Sequence, residues 1–295
     1  LKLKFKALAS AFTIIASATL VLSPNLAHAL PESELLVQAQ KSYSLRDYNA
    51  TGVQRAQDAA ELYGKISEQA ADPKLKAQYL INEATALYFV GNASNSRSIK
   101  IEKHEMGMRV ADEALRLLGV TDTNQVSELD LEKLKSLPAD VLKLVGDALY
   151  ERGTHLGQWG MANGKLQSLN RWPELRDTMQ LIINLGLKDS HEFGAFRTLG
   201  RGYYEIPGLL GGDNKKAEKY LSSAVAGTLV PGGIFSKNGY NNTYYAELLK
   251  DIGKEQQARD LLQAFIAADA EKINPSQVVE TKHAQSDAVE MLKGF

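Results

Sequence analysis

The chain has 295 residues, no cysteine, and 34 basic against 35 acidic side chains, a formal net charge of −1. Without cysteine no disulfide framework is available, so stability has to come from a packed core, which a chain of this length can supply. The balanced charge excludes the basic footprint of a nucleic-acid-binding protein and provides no strong overall field toward a membrane surface.

Residues 1–29 have the parts of a secretory leader: a basic start at Lys2, Lys4 and Lys6, an uncharged stretch from Ala7 to Leu22, Pro24, and small residues at Ala27 and Ala29. The A-x-A pattern predicts cleavage before Leu30 and leaves 30–295 as one domain exported to the periplasm. The alternative is a retained anchor, because the apolar run falls only slightly short of the about 20 residues that a span needs. Losing the three leader lysines takes the basic total from 34 to 31 against 35 acidic residues, a net charge of −4. No later segment is apolar for long enough to cross a bilayer.

Ala, Leu, Glu, Gln and Lys dominate the remainder, and alternating apolar and polar runs are scarce. That pattern predicts an all-α protein. Helices are expected from Pro31 to Arg46, from Ala50 to Gln69, from Asp72-Pro73 to Gly91, and from beyond the polar Gly91–Ser98 loop to Leu118. An irregular insert follows, with a short helix from Ser127. Pro138 opens a long helix to Gly164, and Trp172-Pro173 opens another that ends at Gly186. A helix from His191, one from Lys215, a Gly/Asn-rich connection and three more helices complete the chain.

One register recurs along these helices. Ala217, Tyr220, Leu221, Ala224 and Val225 stand at i, i+3, i+4, i+7 and i+8, and so do Ala258, Leu261, Leu262, Phe265 and Ile266. Partial copies begin at Ala56 and Ala111. Each places an apolar stripe on one face, and its leading alanine lets a neighbouring helix approach closely. The copies are unevenly spaced, which predicts an irregular tetratricopeptide-like array of helix hairpins, an α-solenoid or bundle.

The hairpin from His191 to Val225 carries the most information. Leu199-Gly200-x-x-Tyr203 matches the first-helix pattern of a tetratricopeptide. Gly200 allows the paired helices to touch, and Ala217 and Ala224 serve the partner helix. Between the helices, Pro207 ends the first, Gly208, Gly211 and Gly212 permit unusual dihedrals, and Asp213 is a good N-cap. The loop is longer than an ordinary tetratricopeptide turn. Its glycines lack the Gly-Lys-Ser/Thr of a phosphate loop.

The run LGRGYYEIPGLLGGDNKKAEKYLSSAV resembles the TatT family, the T component associated with tripartite (TRAP-type) periplasmic transporters. The resemblance rests on Leu199, Gly200, Tyr203 and Pro207, then Gly211, Gly212 and Asp213, then Lys216, Ala217, Leu221 and Ala224. Leu156 to Lys165 also looks like the family's upstream helix. The resemblance implies a non-enzymatic accessory with a cleft or pore, partnered with a solute-binding protein or a small, partly apolar or anionic ligand, and using no cofactor. Family members are often lipoproteins, whereas this chain has no cysteine to carry a lipid. The alternative function is a general tetratricopeptide scaffold in the cell envelope, holding peptide segments in its groove.

In a register anchored on Leu199-Gly200, the concave face carries Arg197, Arg201 and Tyr204. Anchored on Ala258, the last pair adds Tyr240, Thr243 and Lys250. Two arginines at i, i+4 beside a tyrosine can clamp a carboxylate, or they can pair with Glu205 or Asp177. Lys103-His104-Glu105 reads as a solvated helix face. His155 and Trp159, at i, i+4, read as an aromatic core pair. The four histidines after the leader lack metal-ligand spacing. There is no G-x-S-x-G and no Cys nucleophile, so no enzyme is predicted.

Overall fold

The computed structural model describes residues 31–121, 126 and 128–295. The leader of residues 1–29 and the start of the short helix expected at Ser127 lie outside the described residues. Asn49, Asp72 and Ser96 each turn a side-chain oxygen onto an early backbone N–H and so start three successive helices. The first four helices are α1 (Glu32–Ser44), α2 (Ala50–Gln69), α3 (Pro73–Ala93) and α4 (Arg97–Leu117). After the insert and the short α5 (Leu131–Lys135) come α6 (Ala139–Asn163), α7 (Lys165–Asn184) and α8 (Ser190–Glu205). A single 3-10 turn at Gly208–Leu210 leads to α9 (Asn214–Ala226), α10 (Gly239–Asp251), α11 (Glu255–Ile266), α12 (Ala270–Ile273) and α13 (Val278–Lys293). Most of the long helices pack against the next one along the chain, and α4 packs on α6 across the short α5, which makes an all-α fold of neighbouring helices.

The Ala-led stripes form the seams. Ala56, Ala111, Ala217 and Ala258 are fully buried, with Leu115, Leu221, Leu262 and Phe265 from the same stripes. Gly200 faces Leu221 so closely that a Cβ there would lie 2.6 Å from its side chain. The α8–α9 pair therefore touches through a glycine, as the L-G-x-x-Y spacing predicts. Asp213 accepts from the backbone N–H groups of Lys215 and Lys216 at 2.9 and 3.1 Å and caps α9.

Four helices rather than three follow the Gly/Asn-rich connection, the short α12 being the addition, and two further elements differ from the sequence reading. Helix α7 begins at Lys165, so Pro173 lies inside it rather than opening it. Gly164, at φ 104°, turns the chain directly out of α6 and removes the loop expected there. The other element is at His191, where a right-handed helix was expected. His191, Glu192 and Phe193 have φ of 51°, 57° and 60°, a left-handed turn, and the right-handed part of α8 follows it.

The row of hairpins closes on itself within the unit Glu32–Phe295. Arg46, just past α1, grips Glu280 of α13 with two hydrogen bonds of 2.7 and 2.9 Å. Tyr48 stacks on His283 of α13 at 3.8 Å between centroids, and its hydroxyl lies 3.0 Å from that of Tyr240 at the start of α10. Val279 joins Ala56, Phe89 and Val90 in one apolar cluster. First and last hairpins are thus held by an ion pair, a ring stack and apolar packing.

Candidate functional site: an inner face of tyrosine and arginine

The inner face is built from five elements. The turn before α2 supplies Tyr48, α3 Tyr88, α6 Tyr150, α8 Arg197 and Arg201, and α10 Tyr240 and Tyr244. All but Tyr150, which is buried, keep some accessible surface. Protein nevertheless surrounds them closely enough that burial pushes the Tyr150 and Tyr244 phenols up to about 12. These hydroxyls stay neutral throughout the physiological range and offer both a donor and an acceptor.

Arg197 is the charge at the centre of this face. One terminal nitrogen donates to the Tyr150 hydroxyl at 2.6 Å and the other to Asn241 Oδ1 at 3.0 Å. Weaker contacts reach the carbonyls of Glu192 and His191 at 3.4 and 3.5 Å. Every one of these acceptors is neutral. Among the described residues no carboxylate lies within ion-pair reach of Arg197, and the titratable groups that act most on it are the phenols of Tyr150, Tyr88 and Tyr244. A guanidinium shielded from bulk water without a counter-ion favours an incoming anion.

The left-handed turn sets the position of this arginine. A left-handed residue costs roughly 1–2 kcal/mol where it is not glycine, so three in succession need strong external support. The Glu192 carboxylate accepts from Asn238 at 2.7 Å, Asn274 at 3.1 Å and Lys237 at 3.2 Å. Asn241 Nδ2 reaches the Glu192 carbonyl at 3.3 Å. The His191 ring stacks on Tyr150 at 4.0 Å, and its Nε2 lies 3.1 Å from Asp147 Oδ1. Phe193 fills the space beside Gly227, where a Cβ would meet its ring at 2.3 Å. Strained backbone held from several sides is characteristic of sites where a side chain must be aimed.

Arg201 differs from Arg197. It pairs with both Glu205 and Glu247 and lies over the rings of Tyr244 at 4.7 Å and Tyr204 at 5.4 Å. Its charge is already matched. Asp177, the other partner considered, is bound instead by Arg176 at 2.8 Å. Of the remaining candidates, Tyr240 sits on the inner face beside Tyr244, with ring centroids 5.9 Å apart. Tyr204 donates to Asp251 at 2.5 Å. Thr243 is buried, and Lys250 donates to the Gly294 carbonyl at 2.7 Å over the Phe295 ring. Arg197, Arg201 and Tyr240 therefore converge, whereas Thr243 and Lys250 serve packing and the C-terminal end.

Neither a protein-family model nor a curated protein matches this chain. Among the described residues no group of three histidine, aspartate or glutamate side chains is placed to hold a metal ion.

Below this face lie two histidines read differently from the sequence. His104 is buried, not solvated, and its Nδ1 lies 3.0 Å from Nδ1 of His155. His155 Nε2 lies 2.9 Å from the Ala84 carbonyl, which can only accept, so that nitrogen carries the proton and Nδ1 accepts from His104. Burial lowers the pKa values to about 3 for His104 and about 4 for His155. Gly91 and Gly107 provide the notches for the rings; a Cβ at Gly107 would lie 2.0 Å from His155. Trp159 does not pair with His155 but donates to Glu105 at 2.8 Å. Glu151, 5% exposed, accepts from Thr85 at 2.8 Å, and burial raises it to about 7.

Sequence reasoning missed Tyr88, Tyr150, Tyr244 and Glu192. The tyrosines had a weak signal, since Tyr240 and Tyr244 share the i, i+4 spacing of Arg197 and Arg201 and so lie on one face of α10. Glu192 had none, because its three partners come from residues at least 45 positions downstream.

Proposed function

We propose that this protein is an exported, non-enzymatic binding protein of the cell envelope that receives an anionic, partly apolar ligand on its tyrosine-lined inner face. The observation that carries this reading is Arg197, an enclosed cation whose partners are all neutral. Neutral phenols around it supply apolar ring faces for the ligand body and hydroxyls for its polar groups. Compartment follows from the leader pattern of residues 1–29. The resemblance to TatT proteins of TRAP-type transporters adds the further proposal that a solute-binding protein delivers or collects the ligand.

The general tetratricopeptide scaffold ranks second. A scaffold uses a groove open at both ends for an extended peptide, and the Arg46–Glu280 pair and the Tyr48–His283 stack close that route. A face whose first and last hairpins are tied together suits a small molecule better than an extended peptide. Protein purified natively from its producing cells should carry a small organic anion that denaturation releases and mass spectrometry detects. Arg197→Met should lose it, while Lys250→Met should retain it. An identical set of released molecules from wild type and Arg197→Met would overturn this reading. Recovery of a solute-binding protein in the same preparation would support the transporter link.

A further inference from the structure

Large exposed apolar side chains stand at three linked helix turns of the α4–α9 segment. Leu209, 102% exposed, and Leu210 sit at the tip of the α8–α9 loop. Met161 and Leu166, 60% and 76% exposed, flank the α6–α7 turn. Ile99 is exposed in the first turn of α4. Two contacts link these turns. Arg97 donates to the carbonyls of Ala162 and Asn163 at 2.7 and 3.0 Å, joining the start of α4 to the α6–α7 turn. Gly211, beside Leu210, lies near Trp172 on α7, with 3.9 Å between a Cβ there and the indole nitrogen. Trp172 is two helical turns from Lys165, about 10 Å along the axis.

The charges interleaved with these side chains are basic. Lys100, Lys165 and Lys215 stand beside Ile99, Leu166 and the Leu209–Leu210 loop, and among the described residues none has a carboxylate partner. The nearby acids are in use: Asp213 caps α9, Glu205 holds Arg201 and Glu102 pairs with Lys103. The chain as a whole is close to neutral, so this basic rim exists only through the fold.

We propose that this rim docks the protein onto a bilayer containing anionic phospholipid, with Leu209, Leu210 and Leu166 entering the headgroup boundary and the three lysines meeting the lipid phosphates. The chemistry favours a membrane over a protein partner. Interface anchors in proteins are aromatic or arginine side chains seated in pockets, and leucine is under-represented among them. Here single leucines protrude from loop tips between flexible lysines, the arrangement of an interfacial anchor.

Co-sedimentation with vesicles tests the idea, because every residue replaced is exposed and its replacement leaves the core intact. The wild-type chain should partition onto phosphatidylglycerol/phosphatidylethanolamine vesicles at low salt and onto pure phosphatidylcholine far less. Leu209→Ser with Leu210→Ser should lower the partition coefficient about tenfold or more, and each of Lys165→Gln and Lys215→Gln about fivefold. High salt should reduce the lysine contribution and leave the leucine contribution in place. Equal binding by the double serine variant would overturn the proposal, as would no binding of the wild type to either vesicle. A photo-crosslinker at position 209 that captures one discrete protein in cells, with vesicle binding absent, would also overturn it and assign the rim to that protein. None of these results depends on whether the inner face holds a ligand.

Discussion

Two polar clusters meet α6, and they differ in what remains unbalanced. His104 and His155 share one proton-donating chain that ends on the Ala84 carbonyl, and both rings fit glycine notches. Nothing charged is left, so the cluster is a closed structural joint. The neighbouring cluster of Tyr150, His191 and Arg197 is equally rich in hydrogen bonds, yet it retains a full positive charge and rests on a strained left-handed turn. Burial of polar groups therefore does not mark a site by itself. Leftover charge together with a strained turn is what makes the second cluster the candidate.

The largest effect should come from filling the closed joint. Gly107→Ala places a Cβ against the His155 ring and should destabilise the fold by about 3 kcal/mol in urea unfolding, the upper range for overpacking. Next in size is the support of the strained turn. Glu192→Ala leaves the amides of Asn238 and Asn274 with only their longer contacts, to Gln277 Oε1 at 3.3 Å and the Lys237 carbonyl at 3.5 Å, and should cost about 2 kcal/mol, together with loss of any ligand retained through Arg197. Unchanged retention in a folded Glu192→Ala protein would show that the turn does not aim the arginine.

Arg197→Met should separate the two clusters most clearly. It removes an uncompensated charge, so the melting temperature should shift by no more than a few degrees while ligand retention is lost. A collapse in stability would place Arg197 with the structural joint instead.

The pH dependence sharpens the same contrast. The two histidines sit at about 3 and about 4 when folded, below the ordinary 6.5, so the unfolded chain binds more protons in between and their contribution to stability falls as pH drops below 6.5. Glu151 and Glu83 sit at about 7 when folded, above the ordinary 4.5, so between 4.5 and 7 the folded chain binds more protons and stability falls as pH rises. These opposing slopes nearly cancel between pH 4.5 and 6.5. Below 4.5 the histidines act unopposed, the carboxylates of Asp147 and Glu113, which their partners hold below the ordinary range, add to the loss, and stability should drop steeply toward pH 3. Glu151→Gln should unmask a slope of about one proton between pH 4.5 and 6.5, with stability rising as pH rises, readable in denaturant midpoints. The smallest effect is expected at the cap of α9, where Asp213→Ala should cost about 1 kcal/mol.

Much of the fold is legible in local sequence. The Ala-led stripes name the buried seams, and Asn49, Asp72 and Asp213 mark helix starts, because these depend on neighbours within a turn or two. Pro173 misled for a matching reason: a proline near a plausible boundary looks like a start, and the continuity through Gly164 depends on how α6 packs. His104 looked solvated between Lys103 and Glu105, since the notch that receives it belongs to another helix. The site was half legible. Arg197, Arg201 and Tyr240 follow from register, while their different roles depend on which carboxylates the fold brings near.

What the sequence determined by itself was the all-α class, the order of the helices and the hairpin with its glycine contact and capped loop. These rest on spacing and short-range hydrogen bonding, which the chain carries wherever it goes. The tertiary structure alone decided that the hairpins close on one another, that Arg201 is paired and Arg197 is not, and that His191 to Phe193 turn left-handed. Each of these outcomes depends on groups far apart in the chain. Only packing determines which charges meet, and only packing can hold a backbone where its local preferences do not lead.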